Sequence, residues 1–564
     1  MKKIFVLPGL TLLLALGAQA QSPTVLPGNL AVFKAGDSTG IYNISKSKVQ
    51  PCFVQIFYPT TINQAAPLLS VTLPTNGFDA IWINAHAGSE GGGISRTMNR
   101  EFLALEGYSG NILSPTNAKP SSDPTVTRGF GTLDAFGTEH VIYSDLANWF
   151  GLPPGVLQNN PTGIASPDGT NFYGTGNVTG TAMEASGTLF YNANYSSTPI
   201  EFQNFIQGAG EARIIGGTLY VVANTSKGAL ANGVWNFVDP TNNYAVVPLP
   251  YDPDVPNPVQ HPLATNLFIN WGSTFANIFN FDMNPAGTIA YGADATYGIV
   301  KFTNSSGIWS QAPYYFSSTN IGTTNQVVAN QGCFGICVDF SSPNPIIYAT
   351  TMENGLVKNA QGNPNQNRLI RIVDSGDPGT NMVAQTLATA STTNENFRGI
   401  DFTPDLRPLI TSAPTGVDTT NHGSATFTVA ADSVFALSYY WLQNGTNLAG
   451  QNNPSLTFNN LSTNFNNFTY QCVVSNQYGA VTSTPPALLT VTFVAQPPVI
   501  TNAVAHLTNF VGNTETFAAI DPNGSDPLTY QWYFGSTALT DDGVKYSGSA
   551  SPSLSISNLV IADS

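Results

Sequence analysis

Between residues 25 and 405 the chain repeats one pattern of polar and apolar positions. A turn of small or polar residues leads into a short alternating or wholly apolar run, which ends in another small-residue turn. Examples are "REFLALEGYSG" (100–110), "SPDGTNFYGTG" (166–176), "GGTLYVVANT" (216–225), "NPAGTIAYGAD" (284–294) and "PNPIIYATTMENG" (343–355). The runs are short, bounded by Gly, Pro and Asn, and rich in aromatic and β-branched residues, so they are predicted as strands rather than helices. Several are preceded by a strand that ends near an aspartate: Asp282, Asp339 and Asp401, 57 and 62 residues apart. A further strand follows, as in "GIVKFTNSSGIW" (298–309) and "NRLIRIVDSG" (367–376). Several short strands per unit, repeating at roughly 50 residues, predict a β-propeller of about seven blades. "GNLAVFKAG" (28–36) is expected to join "FRGIDFTPD" (397–405) and close the ring, which leaves no open sheet edge. A sandwich or a β-helix is the alternative, because the repeats vary in length.

The last third carries a different period. "ALSYYWLQNGTNLAG" (436–450) matches "PLTYQWYFGSTALTD" (527–541), and "PSLTFNNL" (454–461) matches "PSLSISNL" (552–559). A repeat of roughly 90–100 residues indicates tandem domains, since solenoid repeats are shorter. Each copy resembles an immunoglobulin-like domain. "SATFTV" (424–429) alternates so that Ala425, Phe427 and Val429 point inward, and Trp441 lies on the facing sheet. Tyr470, two residues before Cys472, stands at the tyrosine-corner position, where the hydroxyl returns to the backbone. Phe517 and Trp532 fill the matching core places in the second copy. Val429 occupies the place that should face Cys472, so the sandwich is expected to lack the usual bridge and Cys472 to be a small buried apolar residue. The second copy stops at "NLVIADS", before counterparts of the last two strands, so the chain is expected to be a piece of a longer protein.

Composition narrows the class. Charged residues make up 9% of the chain, with 52 Gly and 39 Pro, a profile for turn-rich β structure. The net charge of −15 comes with only 18 Lys and Arg, and no basic stripe is present, which disfavours nucleic acid and anionic lipid as partners. "MKKIFVLPGLTLLLALGAQA" reads as a signal peptide with cleavage after Ala20, so the mature chain is expected to be exported, extracellular, at the cell surface or periplasmic. No later segment is predicted to span a membrane.

Candidate chemistry is sparse. Ser89 in "HAGSEGGG" (86–93) lacks the first glycine of a nucleophile elbow and the helix that must follow, so a loop is expected. Cys333 and Cys337 are separated by three residues, not the two of a zinc or redox pair. Along an extended strand they stand about 13 Å apart, beyond disulfide reach, so a single disulfide among Cys52, Cys333 and Cys337 needs a tight turn or Cys52. The five histidines (His86, His140, His261, His422, His506) offer no ligand spacing. No catalytic, cofactor or metal residue is predicted, though the acidic loops 374–379 and 521–526 are open to Ca²⁺ as well as to plain turns. Asp282, Asp339 and Asp401 have two readings, capping turns within each blade or lining a central channel. The aromatics of 242–253 and 312–316 pack between blades or stack on sugars.

The layout resembles a family of exported bacterial proteins with an N-terminal propeller-like region followed by immunoglobulin-like modules. The resemblance is carried by "LPGNLAVFKAGD" (26–37), "SEGGGISRTMNREFLALEGY" (89–108) and "YYWLQNGTNL" (439–448). The resemblance implies an extracellular or cell-surface role without supplying a catalytic residue. The domains expected from the residues are a signal peptide (1–20), a propeller-like domain (25–407), a first immunoglobulin-like domain (408–495) and an incomplete second (496–564). The expected function is non-enzymatic recognition of an extracellular protein or glycan by a propeller face. An extracellular lyase, lactonase or glycosidase with a channel site is the alternative.

Overall fold

A computed structural model of the chain describes residues 24–37, 49–75, 77, 80–84, 93–109, 127–145, 159–178, 187–192, 200–203, 209–223, 231–239, 245–246, 264–275, 277–316, 332–352, 366–376, 384–391, 395–495, 497–501, 507–519 and 527–564. These residues form strands joined by turns and short 3-10 segments, an all-β chain. The signal segment 1–20, Ser89, His86, His261, His506 and the loop 521–526 lie outside the described residues. So do residues 242–244 and 247–253, and the side chains of 313–316. The chain divides into two compact units: through Arg407 with Gln477–Gly479, and Pro408–Asn476 with Ala480–Ser564.

In the first unit the short strands pair with their sequence neighbours into antiparallel sheets. The second sheet is Ile94–Arg96, Phe102–Ser109, Thr127–Asp134 and Glu139–Asp145, and the third is Asn159–Ala165, Asn171–Val178, Gly187–Asn192 and Ile200–Gln203. The fourth is Ala209–Ile215, Thr218–Ala223, Gly233–Asp239 and Ala245–Val246, with Ala264–Asn270 also on Gly233–Asp239. The fifth is Ile278–Met283, Ile289–Asp294, Gly298–Ser305 and Ile308–Phe316, and the sixth is Cys333–Asp339, Ile346–Thr351, Arg368–Val373 and Gln385–Thr389. The first sheet departs from chain order. Asn396–Phe402 pairs with Leu30–Ala35, followed by Cys52–Phe57 and Leu69–Thr72, so strands from both ends of the unit share one sheet.

Six such sheets stand among the described residues where the repeat spacing predicts seven blades. The 57- and 62-residue aspartate spacing is the better gauge, since these residues mark the first strands of successive sheets.

Both faces of most strands are apolar because each sheet packs between two others. Phe33 and Val54 of the first sheet share a core with Leu103 and Leu105 of the second. Phe130 meets Phe172 with ring centroids 4.9 Å apart, joining second to third. Tyr173 lies with Val221, Val222 with Phe281, Tyr291 with Ile347, and Tyr348 with Val32, which continues the series from third to first. The first strands of the sheets approach closely, and glycine makes that possible. A Cβ on Gly163 would lie 2.5 Å from Glu211 Cα, and one on Gly335 2.5 Å from the Arg398 carbonyl oxygen. A bulge recurs in these strands at Pro161/Gly163, Ala209/Ala212, Ile278/Asn280 and Cys333/Ile336.

Residues 409–492 form a two-sheet sandwich of immunoglobulin type. One sheet runs Val417–Thr420, Ala487–Thr492, Phe468–Asn476, Ser438–Gln443, Thr446–Leu448, with the first pair parallel. The facing strands are Leu409–Ser412 on Ala430–Asp432 and Ala425–Thr428 on Ser455–Phe458. Ala425, Phe427 and Val429 are buried with Trp441, Tyr470 and Cys472 in one core. Trp441 pairs in register with Cys472, and its indole Nε1 donates to the Asn453 carbonyl at 2.9 Å. The tyrosine-corner expectation is not met. Tyr470 Oη has no hydrogen bond among the described residues, and the ring instead stacks on Phe427 at 4.6 Å. Its ring is held by contacts with Phe427 and Phe458.

The second copy repeats this core in part. Phe517 and Trp532 have ring centroids 6.3 Å apart, and Trp532 Nε1 donates to the Ser551 carbonyl at 2.9 Å, as Trp441 does to Asn453. Both rings remain half-buried and line a groove with Ile500, Leu528 and Tyr530.

Candidate functional site

Three charged residues far apart in the sequence of the first unit, Arg213, Asp282 and Asp401, come together from the first strands of three sheets. Asp282 stands one residue before the end of the first strand of the fifth sheet, and Asp401 likewise on Asn396–Phe402 of the first. In each, Oδ1 accepts the next main-chain N–H, Met283 at 2.8 Å and Phe402 at 2.7 Å. Each Oδ2 reaches the following sheet: Asp282 accepts from Val338 N at 2.8 Å and Asp401 from Arg96 N at 2.9 Å. Each of these two aspartates therefore links its own strand to the next sheet. Asp339 instead caps a turn, accepting from Ser341 N at 2.9 Å.

Between the two carboxylates lies Arg213, from the first strand of the fourth sheet. Its Nη1 is 3.1 Å from Asp401 Oδ2 and 3.9 Å from Asp282 Oδ2, and its Nη2 donates to the Ile336 carbonyl at 2.6 Å. Burial works against the guanidinium charge, but Asp401 and Asp282 outweigh it and raise the Arg213 pKa. Burial lifts Asp282 to about 6 despite Arg213. Two acids share one base, and a guanidinium suits this because its planar fork serves several acceptors at once.

Next to this group stand Glu211 and Glu106. Glu211 Oε2 accepts from Asn280 Nδ2 at 3.4 Å, and burial raises its pKa to about 8, with Arg213 offsetting part of the rise. Glu106 is wholly buried and held well above the carboxylate range by burial and then by Glu211. Sequence reasoning passed over Arg213, Glu106, Glu211 and Asn280. The signal was present: in a chain with 9% charged residues, "LALEGYS" and "GEARII" place charge inside apolar strands.

The four cysteines are free thiols, so the disulfide considered among Cys52, Cys333 and Cys337 does not form. Each sits in a different core, Cys52 between first and second sheets, Cys333 between fifth and sixth, and Cys337 between sixth and first. The bulge between Cys333 and Ile336 turns the two cysteines of one strand to opposite faces. Cys472 lies in the immunoglobulin-type core, and burial raises its pKa to about 11. In the acidic loop at 374, the carboxylate is engaged by Lys301 Nζ at 2.6 Å, Tyr291 Oη and Gly376 N. His140 and His422 are exposed. Among the described residues no three His, Cys, Asp or Glu side chains group to hold a metal ion, and no helix is long and apolar enough to cross a membrane.

No protein-family model matches the chain, and no curated protein does. Among solved structures it is similar to an I-band fragment of titin, at 20% identity over 28% of this chain and 58% of that fragment, TM-score 0.14. The aligned part thus spans little more than half of that fragment. It is also similar to the N-terminal Ig1-2 module of the Drosophila receptor protein tyrosine phosphatase DLAR, at 23% identity over 28% of this chain and 86% of that one, TM-score 0.14. A third similar structure is the titin M3 domain, at 16% identity over 16% of this chain and 99% of that one, TM-score 0.14.

Proposed function

We propose that this is an exported binding or structural protein without catalytic activity. In this reading residues 25–407 form a six-bladed β-propeller, closed by the pairing of Leu30–Ala35 with Asn396–Phe402, and 408–495 and 496–564 are immunoglobulin-like spacers. Loops on one propeller face recognise an extracellular protein or glycan, and the sandwiches set its distance from the cell. The observation that carries the reading is the engagement of the inward charges. Asp282, Asp401 and Arg213 hold neighbouring sheets together through main-chain N–H groups, carbonyls and one another, whereas a channel enzyme needs such carboxylates turned toward substrate. The signal peptide supports export, and a signal-processed chain is expected to begin at Gln21.

The test is a glycan and matrix-protein array probed with the processed chain, run beside turnover assays on polysaccharides, polyuronates and lactones. Saturable binding without turnover is the expected result. Turnover that disappears in Asp401→Asn would overturn the reading in favour of an extracellular lyase, lactonase or glycosidase.

A further inference from the structure

Three buried side chains from three sheets bring together oxygen atoms for which the described residues supply no donor. Glu106, on the second strand of the second sheet, leaves both Oε1 and Oε2 without a hydrogen bond. Glu211 and Asn280, on the first strands of the fourth and fifth sheets, leave Oε1 and Oδ1. Exposure is 0% for Glu106, 3% for Glu211 and 1% for Asn280, so bulk water does not compensate. The three are neighbours. Asn280 Nδ2 donates to Glu211 Oε2, and the charge of Glu211 is felt at Glu106. Gly93 and Gly163 thin the backbone between them. A Cβ on Gly93 would lie 3.0 Å from both Glu106 Oε1 and Gly163 Cα, and one on Gly163 would lie 2.5 Å from Glu211 Cα.

Every unmatched atom is an acceptor, so the cluster calls for positive charge or protons. Arg213 offsets part of the burial cost at Glu211, but its guanidinium is held by Asp401, Asp282 and the Ile336 carbonyl, and burial and Glu211 are what act on Glu106. Unpaired buried carboxylates are costly, and a cation bound by two of them removes that cost. We propose that Glu106, Glu211 and Asn280 bind one Ca²⁺ ion, which ties the second, fourth and fifth sheets together. The donors are all oxygen, the set a hard cation takes, with no imidazole or thiolate to favour zinc or copper. Ca²⁺ fits better than Mg²⁺, which gives up water reluctantly and demands near-ideal octahedral geometry. Water and main-chain carbonyls complete the coordination.

The experiment is elemental analysis of the purified full chain after dialysis against CaCl₂, with thermal melts in CaCl₂ and in EDTA. One calcium per chain is expected, with a melting temperature that falls in EDTA and recovers on adding CaCl₂. Glu106→Gln should weaken binding at least about tenfold, the loss of one carboxylate ligand. Glu106→Gln combined with Glu211→Gln should lose the calcium and the EDTA effect while staying folded, because neutral amides no longer need a counter-charge. Absence of stoichiometric calcium together with no EDTA effect in the native chain would overturn the proposal and leave protons as what holds the two carboxyls. Calcium retained undiminished by the double variant would overturn it too, by placing the ion elsewhere.

Discussion

Replacing Arg213 by Met tests whether the inward charges hold the sheets together. Methionine keeps much of the aliphatic stem, so packing changes little while the guanidinium disappears. What remains is Asp401, formerly 3.1 Å from Nη1, and Asp282, formerly 3.9 Å away, two buried carboxylates with no base between them. The Ile336 carbonyl also loses its 2.6 Å donor. Removing one member of a buried ion pair costs about 3–5 kcal/mol. A unit of this size has an unfolding entropy on the order of 0.8 kcal/mol/K, so the melting temperature should fall by about 4–6 °C. Scanning calorimetry of the full chain measures the shift. Hydrogen exchange in Ala209–Ile215 assigns it to the unit that contains Arg213. The decisive control adds Asp282→Asn and Asp401→Asn to Arg213→Met. Asparagine oxygens can still accept from Val338 N and Arg96 N, so this neutral set should recover most of the loss. An unchanged melting temperature in the single variant would refute the reasoning, as would a triple variant no more stable than the single.

Three further outcomes follow from the same structure. Trp441→Ala should cost about 3–5 kcal/mol as a fully buried ring, and Trp532→Ala clearly less because its ring is half-buried, with denaturant unfolding followed by fluorescence as the measure. Burial alone would raise the Asp374 pKa, but its bonds from Lys301, Tyr291 and Gly376 lower it below the usual value of 3.8. A depressed folded pKa gives stability that is complete above the unfolded value and lost as pH falls through the folded one. Acid unfolding of the native chain should therefore steepen below about pH 4, and Lys301→Met should flatten that limb. Native protein should leave a thiol reagent unreacted at its buried cysteines, and guanidinium without reductant should expose four thiols, whereas two would indicate a disulfide.

The local features were readable in the chain. Period-two alternation gave Ala425, Phe427 and Val429 as inward residues, and all three are buried. The hairpin between Ser438–Gln443 and Thr446–Leu448 turns on Asn444 at φ 48° and Gly445 at φ 78°, a conformation suited to those two residues. The match of Trp441 to Trp532 was likewise visible, and both indoles donate to a main-chain carbonyl. Alternation and turn chemistry are short-range, so a single sequence carries them.

What joins distant segments was not readable. Arg213 meets Asp401 across 188 residues, and nothing near either one names the other. Which aspartates turn inward, and which of two nearby cysteines enters which core, depends on bulges that shift a strand's faces by one residue. The number of sheets depended on how much chain the connections consume, a length the strand pattern does not fix. Strands and turns are set by neighbours in sequence, so the sequence by itself determined that this protein is made of small sheets and a sandwich. The buried charges exist only because sheets packed face to face remove water from their meeting edges, and that packing was decided by the tertiary structure alone.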